Sequence, residues 1–219
     1  MKRRSFLKKA AAGLAVGGAA APAFGQAPAA VTGLPTVNWR MAASWPKSLD
    51  TLFGGAEHIA KRCSDATGGK FTIKVFAAGE IVGGLQVFDA VQAGTVECGH
   101  SAAYYYFGKD QTFAFGTSIP FGLNARQQFA FMHHAGGLEL MRDFYKEYGV
   151  LNIPAGNTGA QMGGWYRKPI KSVADLKGLK MRIGGTGGQV LSKLGVVPQQ
   201  LAAGDIYPAL EKGTIDAAE

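Results

Sequence analysis

Strand-like and helix-like segments alternate along the chain beyond its N-terminal segment, and this alternation constrains the fold more than any other feature. Residues 37–42 are expected to form a buried strand, and apolar residues follow at helical spacing over 52–63. Residues 71–76 alternate between apolar and polar side chains, as expected of a strand with one buried face. A helical segment over 85–91 and a short strand at 96–98 complete a β-α-β-α-β order. This order predicts an open α/β sheet with right-handed crossovers.

A second series of α/β segments begins near Asn157. It consists of a strand at 180–183, a helix at 186–194, a strand at 196–197 that Pro198 is expected to end, a helix at 205–211 and a strand at 215–218. We therefore predict a first α/β lobe at 31–156 and the start of a second at 157–219, each with an open sheet. The second lobe has too few elements to form a core of its own, so we expect it to be truncated.

Two positions carry helix-capping patterns. Asn124 precedes apolar residues at helical spacing and is expected to cap a helix, which a second helix over 138–148 follows. Ser172 and Asp175 have the S-x-x-D spacing of a capping box, which predicts a short helical turn.

Residues 1–30 have the order of a signal peptide. A basic segment containing Arg3-Arg4 precedes the uncharged run 10–21, and Ala21-Pro22-Ala23 supplies a small-x-small cleavage site. The paired arginines are typical of a twin-arginine (Tat) signal. The uncharged run is about a dozen residues, too short for the roughly 20 that span a bilayer. We therefore expect the remaining chain to be exported to the periplasm.

The charge of the chain does not indicate a nucleic-acid partner. The formal net charge is +8, but five of the positive charges lie within the first nine residues, where no acidic residue balances them. The rest of the chain therefore has a charge ordinary for a soluble protein, so binding of nucleic acid is not expected.

Cys63 and Cys98 have two interpretations. An oxidising compartment would allow them to form a disulfide. We favour free thiols, because Cys63 falls on the apolar face of a helix and Cys98 near the end of a strand, as small buried hydrophobic residues do. Neither lies in a C-x-x-C motif, so a metal or redox-motif role has no support.

The glycine-rich turn 183–188, between a strand and a helix, is the strongest local signal for binding. Glycines allow main-chain N–H groups to approach an anion, and Arg182 offers a planar fork that matches a carboxylate. A dinucleotide site is an alternative, although Val190 occupies the position where the third glycine of that motif belongs. No G-x-S-x-G or H-E-x-x-H motif is present. If the turn binds a dinucleotide, the protein would be an exported nucleotide-dependent oxidoreductase, and this is the alternative to a binding protein.

Several stretches resemble the extracytoplasmic solute receptors of TRAP transporters. They are the twin-arginine leader, W-R-M at 39–41 with Trp45-Pro46, F-A-A-G-E at 76–80, Q-V-F-D-A-V at 86–91, N-T-G-A-Q-M-G-G-W at 157–165, D-L-K-G-L-K-M-R-I-G-G at 175–185 and G-T-I-D-A-A-E at 213–219. The resemblance covers essentially the whole chain after the leader. It is strongest to the branch that takes 2-oxo acids or lactate together with a metal ion.

The resemblance implies a site as well as a fold. The fold would be bilobal and α/β, like a type II periplasmic binding protein, with the second lobe truncated. Arg182 would hold the carboxylate of the substrate in a two-pronged pair, and Gln161 would contact both substrate and metal. Glu219 would be a metal ligand. Tyr104 or Tyr105 would wall the site from the first lobe, and Asn157 would assist.

The resemblance also implies what the protein does. It would capture a small carboxylate, such as pyruvate or lactate, and deliver it to the membrane permease subunits of the transporter without chemistry. An all-oxygen set of ligands suits a hard ion, so Na⁺ or Ca²⁺ is expected and Zn²⁺ is not. The resemblance is also compatible with a homodimer.

Overall fold

Three parallel strands form the first sheet of the computed structural model, which describes residues 33, 35–117 and 119–219. The strands are β1 (Val37–Ala43), β2 (Phe71–Phe76) and β3 (Cys98–His100), in the order β2-β1-β3. Helix α1 (Asp50–Ala66) connects β1 to β2, and α2 (Val87–Gln92) connects β2 to β3. The predicted open α/β sheet is confirmed. The predicted signal peptide lies outside the described residues.

Strand β3 begins two residues later than the sequence indicates. The N–H groups of Thr95 and Val96 both donate to the carbonyl of Ala90 in α2, at 2.8 and 3.4 Å, so this segment closes the helix instead of pairing with β1. The apolar side chain of Val96, which suggested a strand, packs instead in a buried cluster with Ala42 and Val87. The later start places His100 at the carboxyl end of the strand.

An aromatic core follows the first sheet. Two 3₁₀ turns, Ala103–Tyr106 and Gln111–Gly116, lead to α3 (Ala125–His134) and α4 (Gly137–Lys146). Phe113 is fully buried, and its ring lies 5.1–5.3 Å from those of Phe88, Tyr145 and Tyr148. This core fixes the 3₁₀ turn that carries Tyr104 and Tyr105. We call residues 35–150 the first-sheet region.

Both predicted caps are present. The side-chain oxygen of Asn124 accepts from the N–H of Gln127 at 3.0 Å, and the side chain of Gln127 accepts from the N–H of Asn124 at 3.0 Å. Ser172 and Asp175 form the second capping box, which opens the 3₁₀ turn Val173–Leu176.

The second sheet has four strands in the order β4-β7-β5-β6. They are β4 (Trp165–Tyr166), β5 (Lys180–Arg182), β6 (Val197–Gln199) and β7 (Ala217–Ala218), with helices α5 (Gly185–Ser192) and α6 (Ala203–Glu211) between them. β4 runs antiparallel to β7, and the other pairs are parallel. The antiparallel strand was not predicted, because two exposed residues carry no strand pattern. We call residues 165–219 the second-sheet region.

The prediction that Pro198 ends its strand is wrong. Pro198 lies in the middle of β6, opposite Met181 of β5. β6 is an edge strand, so the missing N–H of proline removes no bond to a further neighbour. The strand therefore continues to Gln199.

Residues 35–219 form one unit by their contacts. The division into lobes at 156/157 stays a prediction. Cys63 and Cys98 are both free thiols, and burial raises the pKa of the Cys98 thiol to about 11. Among the described residues, no helix combines the length and the apolar character that crossing a membrane requires.

Candidate functional site

Arg182 is placed by its position in the second sheet. It is the last residue of β5, where it pairs with Gln199 of β6 on one side and Ala218 of β7 on the other. A residue flanked by strands on both sides is shielded from water, and Arg182 is only 6% exposed. The sheet therefore holds a permanent positive charge at the carboxyl ends of its parallel strands, where open α/β sheets bind ligands.

The guanidinium of Arg182 donates to two main-chain oxygens and lies beside two phenol hydroxyls. Nε donates to the main-chain oxygen of Leu201 at 3.3 Å, and Nη1 donates to that of Glu219. Nη2 lies 3.3 Å from the hydroxyl of Tyr104 and 3.5 Å from that of Tyr105. The two tyrosines come from the first-sheet region, so Arg182 joins the two regions.

The charge of Arg182 is only partly compensated. Among the described residues, the one side-chain carboxylate within 4.0 Å is that of Glu219, whose Oε2 lies 3.8 Å from Nη1, too far for a hydrogen bond. Burial opposes the charged form, but Tyr104, Tyr105 and Glu219 outweigh it and raise the pKa of Arg182 above its ordinary value. A buried cation is costly unless it is paired and hydrogen-bonded. The site is therefore suited to an added anion.

Tyr104 packs against the glycine-rich turn. A Cβ atom on Gly184 would lie 3.2 Å from Cε2 of Tyr104, and one on Gly185 would lie 3.3 Å from its Cβ. Gly185 also has φ +58°, a conformation that residues with a side chain rarely adopt. The glycines therefore accommodate a tyrosine of the first-sheet region, which leaves the dinucleotide interpretation of this turn without support.

Tyr105 is held between Arg182 and a tryptophan. Its side chain is buried, and burial raises the pKa of its phenol above the ordinary value, so it is a neutral group at physiological pH. The ring of Trp45 lies 5.8 Å from that of Tyr105, and the indole N–H of Trp45 donates to Nδ1 of His100 at 2.8 Å. His100 was not predicted as part of this structure, because a histidine at a strand end carries no signal of a tryptophan partner.

The Trp45–His100 bond gives a prediction for acid stability. Burial lowers the pKa of His100 below 6.5, so the unfolded state takes up the proton first as the pH falls. The free energy of unfolding should therefore decrease from pH 6.5 down to the lower pKa of the folded state. The variant His100→Asn keeps an acceptor for Trp45 but cannot titrate. Urea unfolding at pH 7.5, 6.0 and 5.0 should show a smaller acid loss in this variant, and equal losses would refute the assignment.

No hydrogen bond among the described residues joins Gln161 or Asn157 to Arg182. Both are exposed in the irregular segment 151–164. The amide nitrogen of Gln161 donates to Oγ1 of Thr158 at 2.9 Å, and Oδ1 of Asn157 accepts from the N–H of Gly159 at 2.6 Å. The structure thus brings together Arg182, Glu219, Tyr104 and Tyr105, and it leaves the two predicted amides in local contacts.

Glu219 is the candidate metal ligand that lies at the site. Its N–H donates to the carbonyl of Arg182 at 3.0 Å, which fixes it beside β5, and its side chain is 26% exposed. The carboxylate is therefore accessible, and no hydrogen bond among the described residues joins it to a cation. No group of three or more His, Cys, Asp or Glu side chains arranged to hold a metal occurs among the described residues. The one side chain at the site that could hold a metal is a carboxylate, a hard oxygen ligand that suits Na⁺ or Ca²⁺ better than zinc.

A cavity of about 260 Å³ lies elsewhere, in the first-sheet region. Its lining is mainly apolar and consists of Ala114, Phe115, Ile119, Gly122, Leu123, Gln128 and Phe131. None of these side chains is charged, so the cavity offers a small anion no charged partner.

A buried arginine at the carboxyl ends of α/β strands, with two phenols facing it, is an arrangement suited to binding a small anion. Residues 41–219 match the family described as bacterial extracellular solute-binding protein, family 7. The chain belongs to this family.

The chain is similar to three proteins that illustrate the family. The chain is 58% identical, over all its 219 residues, to a monocarboxylate 2-oxoacid-binding periplasmic protein of Nostoc sp. strain PCC 7120. A TRAP transporter solute-binding protein of Bordetella bronchiseptica, crystallised as a dimer with calcium and picolinate, is 60% identical with a TM-score of 0.83. A TRAP periplasmic solute-binding protein of Pseudoalteromonas atlantica, with bound sodium and pyruvate, is 44% identical with a TM-score of 0.81.

These similarities cover most of this chain but only part of the relatives. The chain spans 60% of the Nostoc protein, and each structural match covers 84% of this chain and 55% or 56% of the neighbour. All three relatives are named as binding proteins. The comparisons therefore favour the binding interpretation over the exported oxidoreductase, and they confirm the family resemblance and the fold class.

Proposed function

We propose that the protein is the periplasmic solute-binding subunit of a TRAP transporter, which captures a small 2-oxo or 2-hydroxy acid and delivers it to the membrane permease. One observation carries the proposal: Arg182 is a buried cation, and the one side-chain carboxylate near it among the described residues, that of Glu219, lies beyond hydrogen-bond distance. The names of the relatives, which bind 2-oxo acids, pyruvate or picolinate, support the choice of ligand.

The physical argument concerns small ligands. Pyruvate offers little apolar area, so its affinity must come from charge-assisted hydrogen bonds in a site shielded from water. The planar fork of Arg182 can pair with both oxygens of a carboxylate. The hydroxyls of Tyr104 and Tyr105 lie beside the same guanidinium and can donate to ligand oxygens.

We propose that Na⁺ or Ca²⁺ binds together with the acid. Glu219 and Gln161 would supply oxygen ligands, and the oxygens of the acid would supply others. When bound, the ion neutralises charge on Glu219 and favours acids that carry a second oxygen beside the carboxylate. The sodium and calcium in the related structures support this choice.

Several finer assignments complete the proposal. Gln161 and Asn157 would contact the acid, which requires them to leave their present local contacts. Two lobes, at 31–156 and 157–219, would close on the ligand about the segment between them. A twin-arginine signal would export the protein, and the dimer of the Bordetella relative supports a homodimer.

The proposed function is tested by calorimetry of the purified full-length protein, freed of ligand, in sodium or calcium buffer. Pyruvate or a longer 2-oxo acid is expected to bind at least about 10-fold more tightly than propionate, which lacks the second oxygen. Equal affinities, or no heat with any 2-oxo acid, would contradict the proposal.

Gly185 gives a second test in which strain and site geometry are separated. Alanine at Gly185 or at Gly178 must adopt a positive φ, +58° or +74°, and either change is expected to cost about 1 kcal/mol of stability. A Cβ at Gly178 meets nothing within 4 Å, whereas at Gly185 it presses on Tyr104. Only Gly185→Ala should therefore weaken binding of the acid, by about 3-fold or more. Equal affinity in both variants would show that Tyr104 does not contribute.

A further inference from the structure

Gln200 makes a hydrogen bond between the two regions that the proposed function does not use. It follows β6 directly, and its side-chain Nε2 donates to the main-chain oxygen of Tyr105 at 2.7 Å. The two residues are 95 positions apart in the chain. Gln200 has no charge and belongs to no motif, so no sequence pattern selects it.

The bond fixes the end of Tyr105 that Arg182 does not reach. The hydroxyl of Tyr105 lies 3.5 Å from the guanidinium of Arg182, while its carbonyl accepts from Gln200. Both partners belong to the second-sheet region, and Trp45 lies behind the ring of Tyr105. Tyr105 is therefore held at its side chain and at its main chain by the same neighbouring region.

Gly184 leaves room for this arrangement. A Cβ atom at Gly184 would lie 2.8 Å from Oε1 of Gln200 and 3.2 Å from Cε2 of Tyr104. The same glycine therefore accommodates Gln200 and the tyrosine next to Tyr105. Gln200 is exposed as a whole residue, so its bond lies at the rim of the contact between the regions, outside the buried charge of Arg182.

We propose that Gln200 is a positioning residue that holds Tyr104 and Tyr105 against Arg182 and so slows release of the bound acid. This inference rests on the proposed function. A bond between two regions forms only when they are together, so it stabilises the closed arrangement and contributes nothing to the first encounter with ligand. Its loss should therefore appear in the dissociation rate and not in the association rate.

The test compares Gln200→Met with Gln199→Met in the full-length protein. Methionine keeps the length of the side chain and removes the donor, and Gln199 is an adjacent exposed glutamine. In stopped-flow measurements with pyruvate, Gln200→Met should raise the dissociation rate constant about 3- to 10-fold, the range expected for one hydrogen bond. The association rate constant should match that of Gln199→Met. An unchanged dissociation rate, or an equal rise in both variants, would overturn the proposal.

A second measurement does not depend on the identity of the ligand. Hydrogen exchange of the ligand-free protein should be faster over residues 103–107 in Gln200→Met than in Gln199→Met, because the turn loses its anchor to the second-sheet region. Equal exchange in the two variants would overturn the role of Gln200 even if pyruvate proves not to bind. Faster exchange together with absent pyruvate binding would instead contradict only the proposed function.

Discussion

Replacing Arg182 by lysine is expected to weaken binding of a 2-oxo acid by about 10-fold or more. Lysine keeps the positive charge but offers a single ammonium in place of a planar fork, so it cannot pair with both carboxylate oxygens. It also cannot reach Leu201, Glu219 and the two tyrosines together, as the guanidinium does. Titration calorimetry of the full-length variant measures the loss.

Arg167→Lys is the matched control for this prediction. Arg167 is an exposed arginine of the same region, and its Nε lies 3.4 Å from the carbonyl of Ile215. The control should bind the acid with unchanged affinity. Unchanged affinity in Arg182→Lys itself, or an equal loss in both variants, would remove Arg182 from the site.

The variant Glu219→Gln is expected to abolish the dependence of affinity on Na⁺ or Ca²⁺. The amide is close in shape to the carboxylate but neutral, so it binds a hard cation weakly. In the unchanged protein, affinity for pyruvate should rise with the concentration of the ion. In the variant, we expect affinity to be lower by about 10-fold or more at saturating ion and flat across the titration.

A different role of Glu219 would give the opposite result, tighter binding of the acid in Glu219→Gln. Its carboxylate lies 3.8 Å from Arg182, so it could simply neutralise the guanidinium. In that case its removal would leave the buried cation without an anion, and the acid would bind more tightly. Tighter binding by Glu219→Gln would therefore contradict the proposed metal site.

The sequence was sufficient where one segment determines the outcome. Arg182 lies at the end of a strand, next to a glycine-rich turn, which predicted a cation at the carboxyl end of a strand, and β5 places it there. Asn124 and Ser172 cap their helical turns because a cap depends on residues three positions apart. The alternation of segments likewise predicted the first sheet.

The sequence was insufficient where segments far apart in the chain meet. The burial of Arg182 depends on two flanking strands, and its partners Tyr104 and Tyr105 belong to another sheet region. The glycines of the turn have the pattern of an anion-binding motif, but in the structure they leave room for Tyr104, which no local pattern predicts. Gln161 was selected by resemblance alone, and its present surroundings are local.

The central claim is that Arg182 holds the carboxylate of a small acid. A crystal structure of the full-length protein with bound pyruvate tests it most directly. We predict both carboxylate oxygens within about 3 Å of two guanidinium nitrogens of Arg182, with an ion in contact with Glu219 and the 2-oxo oxygen. Pyruvate bound away from Arg182, with the guanidinium still directed at the main-chain oxygens of Leu201 and Glu219, would contradict it.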